Sequence, residues 1–337
     1  MKRYYRPIVR FDAARPETAL PLAGGAGWLS QAICFQRGGA AQTVEAQDIP
    51  ADWQDRLTAQ RPPLAGLALD RTRVMGILNV TPDSFSDGGS LHSAAAALRR
   101  AEDMVEAGAD ILDVGGESTR PGAQTVPIAA EIARIEPVIR AIASDITVPI
   151  SIDTRKSAVA EAAVTAGAGL VNDVSGFTYD PMLAHYCARE GLPVCVMHTL
   201  GPPETMQDNI AYDDVLLDVF DFLETQVQML VDLGLSRGQI VVDPGIGFGK
   251  TIDHNLTLLR HAALFHGLGC PVLVGASRKG FIGTITGASP AVERVHGSVA
   301  VAQAMAAQAI QIVRVHDVAP TVQALVMHRA IETGDLS

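Results

Sequence analysis

Cysteine is scarce in this chain. Cys34, Cys187, Cys195 and Cys270 are spread over 337 residues, and no two of them form a CxxC pair. That spacing excludes a zinc ribbon or a dithiol redox motif and leaves free thiols in a reducing compartment. The nine histidines show no metal-ligand spacing either. No run reaches the roughly 18 consecutive apolar residues of a membrane span. The N-terminus, MKRYYRPIVRFDAARPE, lacks the uninterrupted apolar core of a secretion signal. The expectation is a soluble, cytoplasmic protein. Positive charge is also in deficit: 26 Lys and Arg against 37 Asp and Glu give a formal net charge of −11. A nucleic-acid or acidic-membrane partner is not expected. A small anionic substrate stays open, because a few convergent cations can dominate the potential inside a cleft.

What the chain does have is apolar core, with 48% hydrophobic and 19% charged residues. Eight short apolar runs each end in a polar or charged cluster. They read RVMGILNVTPDSFSDGG, DILDVGGESTRPGA, VPISIDTRK, LVNDVSG, PVCVMHT, QIVVDPGIGFGK, PVLVGASRKG and QIVRVHD, starting at Arg73, Asp110, Val148, Leu170, Pro193, Gln239, Pro271 and Gln311. Runs of Val, Ile and Leu bounded by turn signals suit strands buried on both faces of a parallel sheet. Helical patterns alternate with them over 93–107, 127–143, 156–166, 180–190, 213–233, 254–265, 290–308 and 321–332. The expected fold is therefore α/β, an eight-stranded parallel (β/α)8 barrel with its site at the C-terminal ends of the strands. The chain exceeds the roughly 250 residues typical of that barrel. Residues 1–71, which carry no catalytic cluster, are assigned to an N-terminal extension and 72–337 to the barrel domain. The extension is read as an appended subdomain or a wrap over the barrel's bottom.

The strand-end clusters suggest chemistry. DPGIGFGK is not a Walker A phosphate loop, because Pro244 stands where that motif needs a glycine. Asp243 suits either a helix N-cap or a carboxylate that accepts two parallel N–H bonds from a guanidine-like heterocycle edge. Asp153 and Asn172 end neighbouring strands and add acceptors and donors to the same mouth. Arg120, Lys279, Arg314 and His316 are either solvated loop cations or, sharing one mouth, a site for a di-anionic leaving group. The carbonyl oxygen of Asn79 suits a hard cation. The loop after the first run, with the single aromatic Phe85, is read as a lid or as an ordinary surface loop.

Taken together, MGILNVTPDSFSDGG, DVGGESTRPGA, SIDTRK, VNDVSG, DPGIGFGKT, GASRKGFIG and RVHDV strongly resemble the dihydropteroate synthase family of pterin-binding barrels. The resemblance runs over 74–331. It implies condensation of 6-hydroxymethyl-7,8-dihydropterin pyrophosphate with p-aminobenzoate, a step of folate biosynthesis, and inhibition by sulfonamides. It further implies that Asp153, Asn172, Asp243, Lys279, Met197 and Arg314 hold the pterin. Asn79 with Mg²⁺, Arg120, Arg314 and His316 would serve the pyrophosphate. Thr119, Pro121, Phe248, Ser277 and Phe85 would frame p-aminobenzoate, and Asp87 would face the developing positive charge. Asp87, Lys279, Arg314 and His316 are the residues implied in catalysis, and a homodimer is implied as well. One departure stands out: MHTLGPPETMQ has Thr199 and Leu200 where the family has other types, while Met197, His198, Gly201, Pro203, Met206 and Gln207 keep the frame. Three rivals are weighed, the third being a purely structural barrel, against which the polar mouth argues. A pterin-dependent methyltransferase of the same superfamily is not expected to keep both the lid and the SRK and RVHD clusters. A non-catalytic pterin binder is expected to have lost some of them.

Overall fold

The computed structural model describes residues 1–80, 90–118, 122–202 and 205–334. The chain opens with short strands β1 (Arg3–Pro7), β2 (Leu20–Pro21), β3 (Trp28–Leu29), β4 (Gln31–Gln36) and β5 (Gln42–Glu45), then helix α1 (Ala51–Thr58). Strands β1, β4 and β5 form one antiparallel sheet and β2 pairs with β3. The barrel follows. Its strands are β6 (Arg73–Asn79), β7 (Ile111–Gly115), β8 (Ile150–Asp153), β9 (Leu170–Asp173), β10 (Val194–Met197), β11 (Ile240–Asp243), β12 (Leu273–Val274) and β13 (Ile312–Val315). Between and after them lie α2 (Ser90–Glu106), α3 (Ile128–Asp145), α4 (Ser157–Ala166), α5 (Pro181–Glu190), α6 (Val215–Asp232), α7 (Ile252–Arg260), α8 (Gly280–Thr286), α9 (Val295–Ala306) and α10 (Val318–Thr333).

Strands β6 to β13 pair in parallel in one eight-stranded sheet. A parallel bridge between Val242 and Val272, with Val242 N donating to Pro271 O at 2.9 Å, joins its two ends. The sheet is thus the closed (β/α)8 barrel expected from the eight runs. Two helices differ in detail. The pattern over 254–265 becomes α7, started earlier by a Thr251–His254 capping box, followed by a buried 3-10 turn over Ala262–Leu268. The pattern over 290–308 starts as a 3-10 turn and becomes α9 only at Val295. Helix α8, stopped by Gly287 in the left-handed region, was not anticipated. Among the described residues no helix is long and apolar enough to cross a membrane.

Side chains alternate across each strand, so every second residue points into the barrel. The lower inward tier is Met75, Ile111, Leu170, Cys195, Val241, Leu273 and Ile312, one buried cluster joined by Leu64 and Leu69 from the chain before β6. Leu64 is 1% exposed, so residues 64–69 close the bottom of the barrel with hydrocarbon. The rest of the extension docks through aromatics and ion pairs. Trp53 stacks on Phe220 of α6 at 5.5 Å, and Arg37 reaches Asp218 and Asp221 at 2.5 and 2.6 Å. A Cβ on Gly267 would lie 2.1 Å from the Trp53 ring, which is why that turn carries glycine. Leu64→Ala is expected to destabilise the whole barrel by about 2–5 kcal/mol, since it leaves a cavity in the inner tier. An unchanged urea midpoint would show that the plug is not part of the barrel core.

Candidate active site at the barrel mouth

Two residues further along each strand, the inward tier changes from hydrocarbon to charge. Asp113, Asp153, Asn172, Met197, Asp243 and Arg314 are the inward residues above Ile111, Ser151, Leu170, Cys195, Val241 and Ile312. Arg314 is the centre of this tier. Its Nε donates to Asp113 Oδ2 at 2.5 Å and its Nη2 to Asp153 Oδ2 at 2.7 Å. Asn172 Nδ2 donates to the same Asp113 oxygen at 3.2 Å. The other oxygens, Asp113 Oδ1 and Asp153 Oδ1, are buried with no hydrogen-bond partner. Buried carboxylate oxygens are nearly always satisfied, so two orphans side by side mark a place where a donor-rich ligand fits.

Asp243 ends β11, and its Oδ1 accepts from Gly245 N at 2.7 Å. Across the mouth the Lys279 ammonium donates to the Ile246 carbonyl and lies 4.3 Å over the Phe248 ring. Burial pushes the Asp153 carboxyl up to about 7, opposed by Arg314 and reinforced by Asp113. Burial likewise raises Asp243, opposed by Lys279, and lowers Lys279 to about 7, opposed by Asp243. The two carboxylates beside Arg314 raise its guanidinium against burial, which alone would lower it.

The loop after β11 explains its glycines. Gly245, Gly247 and Gly249 have φ of 69°, 83° and 61°. A Cβ at these positions would lie 1.9 Å from His198 O, 2.9 Å from Lys279 Cδ and 2.5 Å from Leu200 Cβ. Only glycine allows this conformation and this approach together. Lys250, which follows them, turns inward. Its ammonium lies 2.9 Å from His198 Nδ1 and donates to Phe248 O at 3.0 Å. It is therefore a loop brace and not a phosphate lysine, in line with the failed Walker A spacing. Burial and the Lys250 charge push His198 down to about 2, so the imidazole is neutral.

The sequence-based site residues Asp153, Asn172, Met197, Asp243, Lys279 and Arg314 thus converge on one mouth. Asn79 ends β6 beside them: a Cβ on Gly115 would lie 3.8 Å from Asn79 Oδ1 and 3.5 Å from Asp153 Cβ. Ser277 Oγ accepts from His316 N at 3.1 Å and lies 3.2 Å from His316 Nδ1, which joins the loops after β12 and β13. Phe85, Asp87, Thr119, Arg120, Pro121 and Pro203 lie outside the described residues. Sequence reading missed Asp113 and Arg278. Asp113 had a signal, an acid inside an apolar run at the same inward parity as the strand-end acids. Arg278 pairs with Asp317 at 2.9 and 2.5 Å and braces the two loops that carry Lys279 and His316. The Thr199–Leu200 departure is local: Thr199 Oγ1 donates to Gly201 O at 2.8 Å, and Gln207 still donates to Gly247 O at 3.1 Å. A mostly apolar cavity of about 620 Å³ lies away from the mouth, between the extension and α10. The chemistry is assigned by the charged tier and not by that void.

A closed parallel barrel whose upper inward tier pairs acids with cations and keeps unsatisfied acceptors defines a barrel enzyme for a flat, donor-rich heterocycle. Residues 75–316 match the family described as pterin binding enzyme. The chain is 47% identical over 248 residues to the dihydropteroate synthase of Synechocystis, which covers 74% of this chain and 86% of that one. The fold is similar to a Xanthomonas albilineans dihydropteroate synthase solved with 4-aminobenzoic acid, with TM-score 0.75, 45% identity and coverage of 79% and 96%. It is also similar to a Yersinia pestis dihydropteroate synthase solved with a sulfonamide drug, with TM-score 0.74, 44% identity and the same coverage of 79% and 96%. The chain belongs to the pterin-binding enzymes, in their dihydropteroate synthase family.

Asp153 also sets a pH dependence. Its folded value of about 7 lies above its ordinary 3.8. In that interval the folded chain keeps a proton that the unfolded chain has released. The group's contribution to stability is therefore full below the lower value and lost as the pH rises through the upper one. Asp153→Asn is expected to flatten the fall in urea midpoint between these pH values. A slope equal to that of the unaltered protein would assign it to another group.

Proposed function

We propose that the mouth condenses 6-hydroxymethyl-7,8-dihydropterin pyrophosphate with p-aminobenzoate to give 7,8-dihydropteroate and pyrophosphate through a dissociative substitution. The observation that carries this reading is the pair of orphan carboxylate oxygens beside Arg314, with Asp243 and Lys279 across from them. A pterin presents adjacent N–H donors along one edge and acceptors on the other. Asp153 and Asp243 supply acceptors, the amide oxygen of Asn172 adds one, and Lys279 supplies donors. Met197 packs on the ring and Arg314 lies against its face.

Loss of pyrophosphate leaves a cation delocalised into the electron-rich pterin. Charge building on the leaving oxygens is met by Arg314 and His316, with Arg120. The aniline nitrogen of p-aminobenzoate is neutral near pH 7 and needs no strong general base, so the barrel works mainly by positioning and electrostatics. Phe248, Ser277, Thr119, Pro121 and Phe85 frame that second substrate, and Asp87 faces the cationic carbon.

The residues at the mouth fit a magnesium ion that travels with the diphosphate. Mg²⁺ prefers hard oxygens and keeps several waters, so it needs few protein ligands. Asn79 would supply one carbonyl oxygen; its Oδ1 lies 3.8 Å from where a Cβ on Gly115 would stand, next to Asp153. Bound there, Mg²⁺ would neutralise charge on the leaving diphosphate. Sulfonamides would compete for the p-aminobenzoate position. Four free cysteines suit a cytoplasmic location, and the exposed Val326, Met327 and Ile331 of α10 suit a homodimer contact. Residues 1–71 serve as the barrel's lower closure.

Purified protein with Mg²⁺ and the pterin pyrophosphate is expected to release pyrophosphate only when p-aminobenzoate is added. Tight pterin binding without that release would support the non-catalytic reading. Arg314→Ala is expected to lose on the order of a hundredfold or more in kcat/KM while weakening pterin capture; near-native turnover would remove Arg314 from its role. Ser277→Ala is expected to raise the KM for p-aminobenzoate, and an unchanged value would end that assignment.

A further inference from the structure

Phe248 stands at the mouth between two glycines. Its ring lies 4.3 Å from the Lys279 ammonium, and the same ammonium donates to the Ile246 carbonyl two residues earlier. The loop after β11 therefore touches the charged tier directly. Yet Gly247 and Gly249 both lie in the left-handed region, at φ 83° and 61°. Glycine has the widest conformational freedom of any residue, so the chain on either side does not by itself fix where that ring sits. Hydrogen bonds from outside the loop have to fix it.

Those bonds come from several elements. Asn255 of α7 accepts from Gly247 N at 2.6 Å, Gln207 donates to Gly247 O at 3.1 Å, and the Tyr212 hydroxyl donates to Gly249 O at 2.9 Å. The Phe248 carbonyl itself accepts from Lys250 Nζ at 3.0 Å. That head group also lies 2.9 Å from His198 Nδ1 and 3.4 Å from His198 O, so it ties the Phe248 peptide to the end of β10. His198 is anchored in turn. Its N–H donates to Asp243 O at 3.0 Å, and its ring packs edge-to-face with Phe222 of α6 at 4.9 Å.

Lys250 is 4% exposed, and none of the three atoms it bonds belongs to a carboxylate. Burial lowers its pKa well below the ordinary lysine range, opposed by Asp243 and reinforced by Lys279. Taking such a head group out of water with no carboxylate bonded to it costs stability. A local cost of that kind is expected where function sets the geometry.

We propose that Lys250 is a positioning residue for p-aminobenzoate: by tying the Phe248 carbonyl to His198 it fixes the Phe248 ring beside Lys279. This rests on the reading above, in which Phe248 frames p-aminobenzoate. Lys250 acts through Phe248 and not on the substrate itself.

The test uses the full chain. Lys250→Met keeps the length of the side chain and removes the buried head group, so Tm is expected to hold or rise. KM for p-aminobenzoate is nonetheless expected to rise on the order of tenfold. The dissociation constant for the pterin pyrophosphate, measured by calorimetry, is expected to stay within about twofold, because Asp153, Asn172 and Asp243 keep their places. Lys250→Gln, which keeps an amide donor for the Phe248 carbonyl, is expected to give a smaller rise in KM. An unaltered KM for p-aminobenzoate in folded Lys250→Met would overturn the proposal. So would a parallel loss of affinity for both substrates, which marks general damage to the mouth. Failure of both variants to fold would overturn it too, since the lysine would then serve the core alone. Phe248→Ala tests the underlying reading separately: an unchanged KM for p-aminobenzoate in that variant would sink the placement of Phe248, whatever Lys250→Met gives.

Discussion

A guanidinium held between two buried carboxylates is the interaction on which the mouth depends. Arg314 ties Asp113 on β7 to Asp153 on β8 from its own place on β13. None of the three charges could stay buried alone. The tier as a whole holds three acids, Asp113, Asp153 and Asp243, and two cations, Arg314 and Lys279, a formal excess of one negative charge. Burial raises Asp153 to about 7, opposed by Arg314, and the neighbouring acid Asp113 adds to the rise. A ligand edge rich in N–H donors satisfies the carboxylate oxygens left without a partner, Asp113 Oδ1 and Asp153 Oδ1. The acid-rich tier therefore suits the donor edge of a pterin.

Such a tier is possible because of what lies under it. The lower inward layer is closed hydrocarbon, sealed from below by Leu64 and Leu69. Leu64 and Leu69 thereby place hydrocarbon, not polar chain, beneath the charged layer. The extension is thus coupled to the site through the barrel's interior, although it lies far from the chemistry. Strand parity links the two layers. A one-residue slip in any strand would send its acid outward to the helices and a neighbouring aliphatic inward.

Around the tier, polar braces shape the loops. Lys250 and His198 hold the loop after β11, Arg278 and Asp317 join the loops after β12 and β13, and the Glu117–Lys156 cluster closes the loop after β7. These groups carry charge like the tier residues, yet their charged atoms bond to one another and to the loop backbone. A reaction that relies on positioning and electrostatics more than on proton transfer puts such demands on loop geometry.

Much of this was legible in the chain. Apolar runs ending in polar clusters determined the barrel, because only strands buried on both faces need that pattern. The strand-end residues Asp153, Asn172, Asp243 and Arg314 followed from the same runs, since a strand end in a barrel has one place to point. The order of the motifs determined the family. What the chain alone left open was which charges meet. Asp113 looked like one acid among many until the register set it against Arg314, 201 residues away. Nothing in the sequence singled out Lys250 or Lys156 as buried braces; only the fold brings each to its partners. Pairing of charges depends on distances between remote segments, and those exist only once the eight strands have closed into a ring.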